Sequence, residues 1–544
     1  MKNFRSCMKG MGAMLKPLRW RVAVGVGIGL VRIAASLAFV WICKRLVDIA
    51  TGALDAPLGG SIGLMAGILV IQILSNVADS WWESYITVEA QNGFRQSVFA
   101  HVLRSTWNGR EVFHSGDTVN RLEEDIRVVV DLLCSRLPSA IVTLCQLVAA
   151  SIFLLTLSPN LAWILIILMV AAVVGSRLFF RTLRRLTAAI RAKDSQVQAY
   201  MQENLLNRVV VLTLIGAERV LARLGLLQRD VRDNTVRRTN YNAVARTFMG
   251  LGFLSGYAAA FLWGVFGIRS GAVTYGMMTA FLQLVGQIQR PIAEISHHVP
   301  AFIHSLTSVE RLMELEELPL EEHGTPVRLE GAPEIAIEHL SFTYEGQAEP
   351  VFKDFSHTFK GGEMTAIAGH TGIGKSTLIR LILALLRPQE GTIRVGGVAV
   401  SPDLRGNFMY VPQGNTLLSG TIRENLKLVA PEATDDQLRD ALELAAAEFV
   451  FDLPEGLDTP CSEKGGGLSE GQAQRIAIAR GLLHNGGILV LDEATSAIDP
   501  ATEERLLQNL SARFHGRKTI LFISHREAVT SAADAVLNIG APRS

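Results

Sequence analysis

Gly369-His370-Thr371-Gly372-Ile373-Gly374-Lys375-Ser376-Thr377 is the stretch whose reading decides the fold. It has the form G-x-x-x-x-G-K-[ST], a phosphate-binding loop. An apolar, strand-like run at 364–368 precedes it, and a helix-like run at 378–386 follows. A chance glycine-rich turn would not carry both flanks. The glycines let backbone N–H groups face an anion, and a helix N-terminus adds partial positive charge. In this pattern Lys375 reaches the β- and γ-phosphates, and the Ser376 hydroxyl is a Mg²⁺ ligand.

The chain has 544 residues, 49% hydrophobic and only 19% charged, which directs attention to membrane spans. Its net charge of +1 argues against a nucleic-acid binder driven by bulk charge, and no nucleic-acid partner is expected. A bilayer span needs about 20 mostly apolar residues. Runs of that kind lie at 22–43, 61–80, 138–157, 160–177, 247–268 and 272–293, all before residue 300. Residues 137–176 carry no charge, and the turn signal Ser158-Pro159-Asn160 divides them into two spans.

Lys2, Arg5, Lys9, Lys16, Arg19 and Arg21 precede the first span with no acid among them, which puts the N-terminus in the cytoplasm. Arg32 interrupts the first apolar run and further spans follow, so a cleaved signal peptide is rejected. The basic run Arg177, Arg181, Arg184, Arg185, Arg191, Lys193 then falls at the inner end of span 4, as the count requires. Lys44 and Arg45, near the outer end of span 1, run against the bias. Six spans return the C-terminal half to the cytoplasm. Outer connections are short, whereas the inner ones, about 81–136 and 178–246, are long, charged and helix-like. Residues 310–334 are rich in Glu, Pro and Gly and read as a linker. The expected organisation is a transmembrane domain at 1–309, the linker, and an α/β phosphate-loop domain at 335–544, with strands at 335–340, 364–368, 392–395, 408–411, 488–491 and 519–523.

Two further clusters belong to the nucleotide chemistry. Ile488-Leu489-Val490-Leu491-Asp492-Glu493 is a buried strand ending in two acids. Alone, the pair would read as a solvated strand end. Downstream of a phosphate loop, Asp492 suits the Mg²⁺ shell and Glu493 suits polarising the attacking water. Leu468-Ser469-Glu470-Gly471-Gln472 opens a helical run, making a second anion cradle. One nucleotide does not need two cradles in one chain; a site shared between two chains does.

These residues resemble those of the ATP-binding cassette (ABC) transporters. Leu468 to Gln472 resembles the family signature Leu-Ser-Gly-Gly-Gln, with Glu470 in place of its first glycine. By the same resemblance, Tyr344 stacks on adenine, Gln413 is the Q-loop glutamine that touches Mg²⁺ and senses the membrane domain, and Ser496 to Asp499 is the D-loop of the dimer seam. His525 is the switch histidine at the γ-phosphate, and Glu463 is the acid that exporters direct to the partner's inner helices. The resemblance implies a half-transporter of the exporter type that binds ATP and Mg²⁺ in a bacterial inner membrane. Its partners are a second chain, identical or heteromeric, and the lipid bilayer. Its substrate is a drug-like small molecule, a lipid or a peptide. The chain ends 19 residues after His525, so no C-terminal regulatory element is expected. An ATP-gated channel or sensor is the alternative.

Other features have plainer readings. Arg32 either contacts substrate or pairs with an acid such as Asp79 or Glu83. Trp81, Trp82 and Tyr85 suit an interfacial belt. Glu294, His297 and His298 have a spacing that a metal could use, but suit a solvated helix face better. Cys7, Cys43, Cys134, Cys145 and Cys461 read as small apolar residues, not ligands.

Overall fold

A computed structural model describes residues 4–107, 115–462, 467–524 and 526–539. Of the sequence reading, Lys2, Glu463 and His525 lie outside them. The chain divides into two compact units, residues 1–100 with 118–316 and residues 101–117 with 317–544.

The first unit is helical. A short helix, Phe4–Leu15, precedes α1 (Arg19–Ala50), α2 (Leu58–Arg104), α3 (Leu137–Leu157), α4 (Pro159–Leu206), α5 (Ala217–Arg269) and α6 (Tyr275–Glu316). Each apolar run of the sequence has its own helix, the last run beginning three residues before α6 starts at Tyr275. Among the described residues, Arg5–Ala50, Leu58–Arg104, Asp117–Leu157 and Ala217–Arg269 are long and apolar enough to cross a bilayer. Ser158 is extended (φ −157°, ψ 100°) between α3 and α4, and Pro159 starts α4 where its missing N–H costs nothing. The 47 residues of α2 extend roughly 70 Å at 1.5 Å per residue, well beyond a bilayer core.

Lipid gives helices no hydrophobic reason to associate, so close backbone packing and polar contacts hold them together. A Cβ on Gly29 of α1 would come within 2.5 Å of Val142 of α3. The Gly276 N–H of α6 donates to Asp48 Oδ1 of α1 at 3.1 Å, and a Cβ there would meet the Lys44 carbonyl at 2.3 Å. Val40, Leu154, Ala260, Phe281 and Leu284 bury together from α1, α3, α5 and α6. Lys44 Nζ donates to Asp48 at 3.0 Å, so this cation near the C-terminal end of the first apolar run is paired locally. Arg32 Nη1 donates to Asp79 at 2.6 Å, one of the two acids named from sequence. Trp82 Nε1 donates to the Arg21 carbonyl at 2.9 Å, while Trp81 stacks on Tyr85 at 5.5 Å.

Among the described residues the second unit holds eleven strands: β1 (Ile335–Phe342), β2 (Phe352–Phe359), β3 (Met364–Ala368), β4 (Glu390–Val395), β5 (Val398–Ala399), β6 (Phe408–Val411), β7 (Gly420–Thr421), β8 (Pro460–Cys461), β9 (Ile488–Asp492), β10 (Thr519–Ile523) and β11 (Ala535–Asn538). The parallel sheet runs β11-β3-β10-β9-β6, and an antiparallel sheet runs β2-β1-β4-β5. All six strands expected from sequence are present. The strands β2 and β11 and the two-residue strands β5, β7 and β8 were not anticipated. In β2 the polar residues Lys353, Asp354, Ser356 and His357 mask an edge strand, and β11 is only four residues long.

The interior strands β3, β9 and β10 are almost wholly buried, as a sheet covered on both faces requires. One face carries α7 (Lys375–Ile382) through Leu378, Ile379, Leu381 and Ile382. The other carries α8 (Glu470–Leu482) and α9 (Pro500–Phe514) through Ile476, Ile478, Leu506 and Leu510. Each such side chain contributes about 1.5–3 kcal/mol when fully buried. Truncating one, as in Ile379→Ala, costs about 2–5 kcal/mol because the cavity does not fully collapse. This packing brings the loop after β3 and the end of β9 to the same carboxyl edge of the sheet, on either side of β10. Ligands of open α/β sheets bind at such an edge.

The segment from His101 to Trp107 belongs to this second unit. The Thr106 N–H donates to the Pro319 carbonyl and the Glu321 N–H to the Arg104 carbonyl, each at 2.8 Å. Arg405 grips Glu321 with both Nη groups, at 2.7 and 2.6 Å, and also donates to the Leu383 and Ala384 carbonyls.

Candidate nucleotide site

The loop after β3 has the conformation that its glycines were read to allow. Gly369 and Gly374 have φ of 147° and 112°. A Cβ at Gly369 would meet the Ile539 carbonyl at 2.8 Å, and one at Gly374 would meet Val351 at 2.6 Å. Both positions therefore require glycine, by backbone angle and by space. His370, Thr371 and Gly372 lie exposed in the turn, closed by the Ile373 N–H to the His370 carbonyl at 3.2 Å. Gly374 then caps α7, whose first residues are Lys375, Ser376 and Thr377. Lys375 is buried, and its Nζ donates to the Gly369 carbonyl at 2.8 Å and the His370 carbonyl at 3.2 Å. The lysine thus lies across the concavity of its own loop.

Two contacts reach the end of β9, one from this loop region and one from the loop after β6. The Ser376 hydroxyl donates to Asp492 Oδ1 at 3.2 Å, and Gln413 Nε2 donates to Glu493 Oε2 at 2.6 Å. Asp492 is 3% exposed. Burial pushes its carboxyl above the ordinary value, the Ser376 bond pulls it back, and the Glu493 charge pushes the same way as burial. A hydroxyl and a buried carboxylate are hard oxygen donors, and a cation between them would relieve the cost of that burial, so the pair fits Mg²⁺. Glu493 has φ 48°, a left-handed angle costly for a residue with a side chain. Its N–H is tied to the Ile523 carbonyl at 3.1 Å. The sheet edge holds this angle and so sets the direction of the carboxylate.

Tyr344 is half-buried. Its hydroxyl bonds to Thr377 at 3.0 Å, and its ring meets Phe342 edge to face at 5.0 Å. Leu468 packs partly into the core, and Ser469 caps α8. The Ser469 hydroxyl accepts from the Gln472 N–H at 3.2 Å, and the Gln472 side chain accepts from the Ser469 N–H at 2.9 Å. Glu470 occupies the first turn of α8, where the helix dipole favours an acid. Gly471 lets the Ala497 backbone approach: a Cβ would lie 2.5 Å from that carbonyl.

Several residues near these groups escaped the sequence reading. The Tyr410 hydroxyl donates to Asp492 Oδ2 at 3.4 Å. The Arg380 guanidinium lies 5.0 Å from the Trp107 ring centroid and donates to the Tyr344 hydroxyl at 3.4 Å. Gln474 bonds both Ser496 and the Ala497 N–H, and Arg526 donates to the Ser496 and Ile498 carbonyls. Tyr410 precedes Gln413 by three residues, and only that proximity hinted at it. Trp107 and Arg380 are far apart in sequence, and no pattern links them.

Comparison with known proteins agrees with this architecture. The profile of the ABC transporter transmembrane region matches residues 22–292, and that of the ABC transporter nucleotide domain matches residues 352–496. An uncharacterized ABC transporter ATP-binding protein of Bacillus subtilis, YknV, is 28% identical over 88% of this chain and 80% of its own. The ATP-dependent lipid A-core flippase of Vibrio cholerae is 28% identical over 93% of this chain and 88% of its own. The structure of a bacterial Atm1-family ABC exporter with ATP bound superposes with a TM-score of 0.79 at 25% identity, covering 96% of this chain and 93% of that one.

The chain therefore belongs to the ABC transporters. It is an exporter-type half-transporter, a membrane protein whose C-terminal domain binds and hydrolyses ATP to drive transport.

Proposed function

We propose that two identical copies of this chain form the transporter, each crossing a bacterial inner membrane six times with both termini in the cytoplasm. The motif residues on the sheet edge carry the chemistry. The observation that carries this reading is the convergence of Ser376 on Asp492 and of Gln413 on Glu493 at one edge of the parallel sheet. Backbone N–H groups from Gly369 to Thr377 bind the phosphates, and Lys375 turns from its own loop to the β- and γ-oxygens. Tyr344 stacks on adenine. Ser376, Asp492 and Gln413 would hold Mg²⁺, which would supply positive charge beside the phosphates.

Glu493 takes a proton from water as the water oxygen bonds to the γ-phosphorus. The bond to the bridging oxygen breaks, and ADP leaves with that electron pair. His525 stabilises the γ-phosphate charge. Ser469 and its neighbours close over the nucleotide of the partner chain, so ATP favours the closed pair. Binding that is tighter in the closed than in the open state is what allows ATP to bias the membrane helices outward.

Orientation is tested by thiol labelling in a cysteine-free background. Cysteines go to Asn160, the exposed second residue of α4, and to Glu349, an exposed turn residue of the nucleotide unit. An impermeant maleimide added outside intact cells should label Asn160→Cys and spare Glu349→Cys. The reverse pattern would put the ATP site outside and refute the orientation.

A further inference from the structure

The helical unit contains a cavity of about 560 Å³ between α1, α2, α3 and α6. That volume suits a small-ligand site. Its wall is unusually polar for a membrane domain. Two guanidinium groups, Arg32 and Arg290, line it against one carboxylate, Glu294. The amides of Gln72, Asn76 and Gln146 complete it.

These groups are only partly satisfied by the protein. Arg32 bonds Asp79 through Nη1. Arg290 bonds Glu294 through Nε at 3.3 Å, which leaves its Nη pair without a protein partner among the described residues. Glu294 also accepts from Thr143 at 3.4 Å. The three amide side chains have no protein hydrogen bond among the described residues. Polar groups at membrane depth are costly unless water or a polar ligand satisfies them. Asp79 pairs with Arg32 and Glu294 with Arg290, so the four charges balance, but the Nη groups of Arg290 are N–H donors that only an acceptor satisfies, and a purely apolar molecule would strand them and every amide.

We infer that this cavity is the transport site and that it takes a small hydrophilic organic anion, a carboxylate or phosphate. The oxyanion is held by the Arg290 and Arg32 guanidinium groups, and the amides bond the rest of the molecule. Planar guanidinium forks match such oxyanions in geometry as well as charge. Glu294 and Ser139 stand near the span ends that the topology puts inside, so the site loads from the cytoplasmic half. The inference rests on the transport reading and narrows it to a substrate class.

The test uses the full-length protein in phosphatidylcholine nanodiscs and two probes with the same fluorophore: dansyl-glutamate, an anion, and dansyl-cadaverine, a cation. Fluorescence anisotropy should show dansyl-glutamate binding at least tenfold tighter. Arg290→Gln should weaken that binding about tenfold or more, as loss of a charged hydrogen-bond donor implies. Arg290→Lys should recover only part of it, because the fork is gone. Thermal unfolding verifies that the variants fold, and the wild-type preference needs no variant at all. Nanodiscs containing phosphatidylserine, at high ionic strength to screen surface repulsion, distinguish the anion's source. Retained probe affinity indicates a soluble anion, and Arg290-dependent displacement indicates a lipid headgroup. Equal or weaker binding of dansyl-glutamate, or binding indifferent to Arg290→Gln, overturns the assignment. Wild-type ATPase is measured on the same discs: its absence counts against the transport reading, whereas intact ATPase without anion preference removes only the substrate class.

Discussion

The Gln413 side-chain amide donates to the Glu493 carboxylate at 2.6 Å, joining the loop after β6 to the residue after β9. This contact occupies one oxygen of the carboxylate proposed to receive the proton of the attacking water. The base is therefore held in position by the same glutamine that is proposed to help hold Mg²⁺, and one rearrangement of Gln413 would both engage the metal and release the base.

The first prediction follows from that arrangement. Glu493→Gln keeps the size of the side chain and removes its basicity. ATP should still bind, while single-turnover hydrolysis should fall about 10²-fold or more, the usual loss for a general base. Near-normal turnover would remove Glu493 from that role.

Tyr344 separates stacking from hydrogen bonding. Tyr344→Ala should weaken ATP binding several-fold in calorimetric titration, because a ring stack is worth about 0.5–1.5 kcal/mol. Tyr344→Phe should bind ATP nearly as well as wild type. It loses the hydroxyl bond to Thr377, so its cost of about 0.5–1.5 kcal/mol should fall on folding stability instead. A Phe variant that binds as poorly as the Ala variant would contradict stacking.

Much of this site was legible because its motifs are local. The phosphate loop needs a strand, glycines at positive φ and a helix start, all within about a dozen residues, so Gly369 to Thr377 could be read directly. The acids after β9 were legible for the same reason. The groups that tie distant elements together were not. Tyr410 reaches Asp492 only because β6 and β9 pair in register. Trp107 meets Arg380 only because the segment after α2 folds into the nucleotide unit. The strand β2 escaped because one-sided edge strands carry polar residues that a core-strand pattern excludes. In the helical unit, Asp79 as the partner of Arg32 was legible from the rarity of charge in apolar runs, whereas the shape of the cavity beside it was not.

The grip of Arg405 on Glu321 predicts a pH-dependent stability. Both oxygens of Glu321 accept from the guanidinium, which holds the carboxyl below its ordinary value. A carboxylate with a depressed folded-state pKa contributes stability above its ordinary value and loses it as pH falls through the depressed one. Glu321→Gln should therefore destabilise the full-length protein by about 1–2 kcal/mol at pH 7, seen as a lower Tm. The gap from wild type should close as pH falls below the ordinary glutamate range. A gap independent of pH would mean that the pair acts by shape alone.

The central claim is that the cradles around Lys375 and Ser469 complete each other across two chains. It is tested by a mixed dimer purified through two tags, one chain carrying Lys375→Ala and the other Ser469→Ala, with Glu493→Gln in both to trap nucleotide. If sites form between chains, one site collects both defects and the other is intact. The measurement is trapped ATP per dimer. The account predicts close to one ATP, and a value near zero, with both sites damaged, would contradict it.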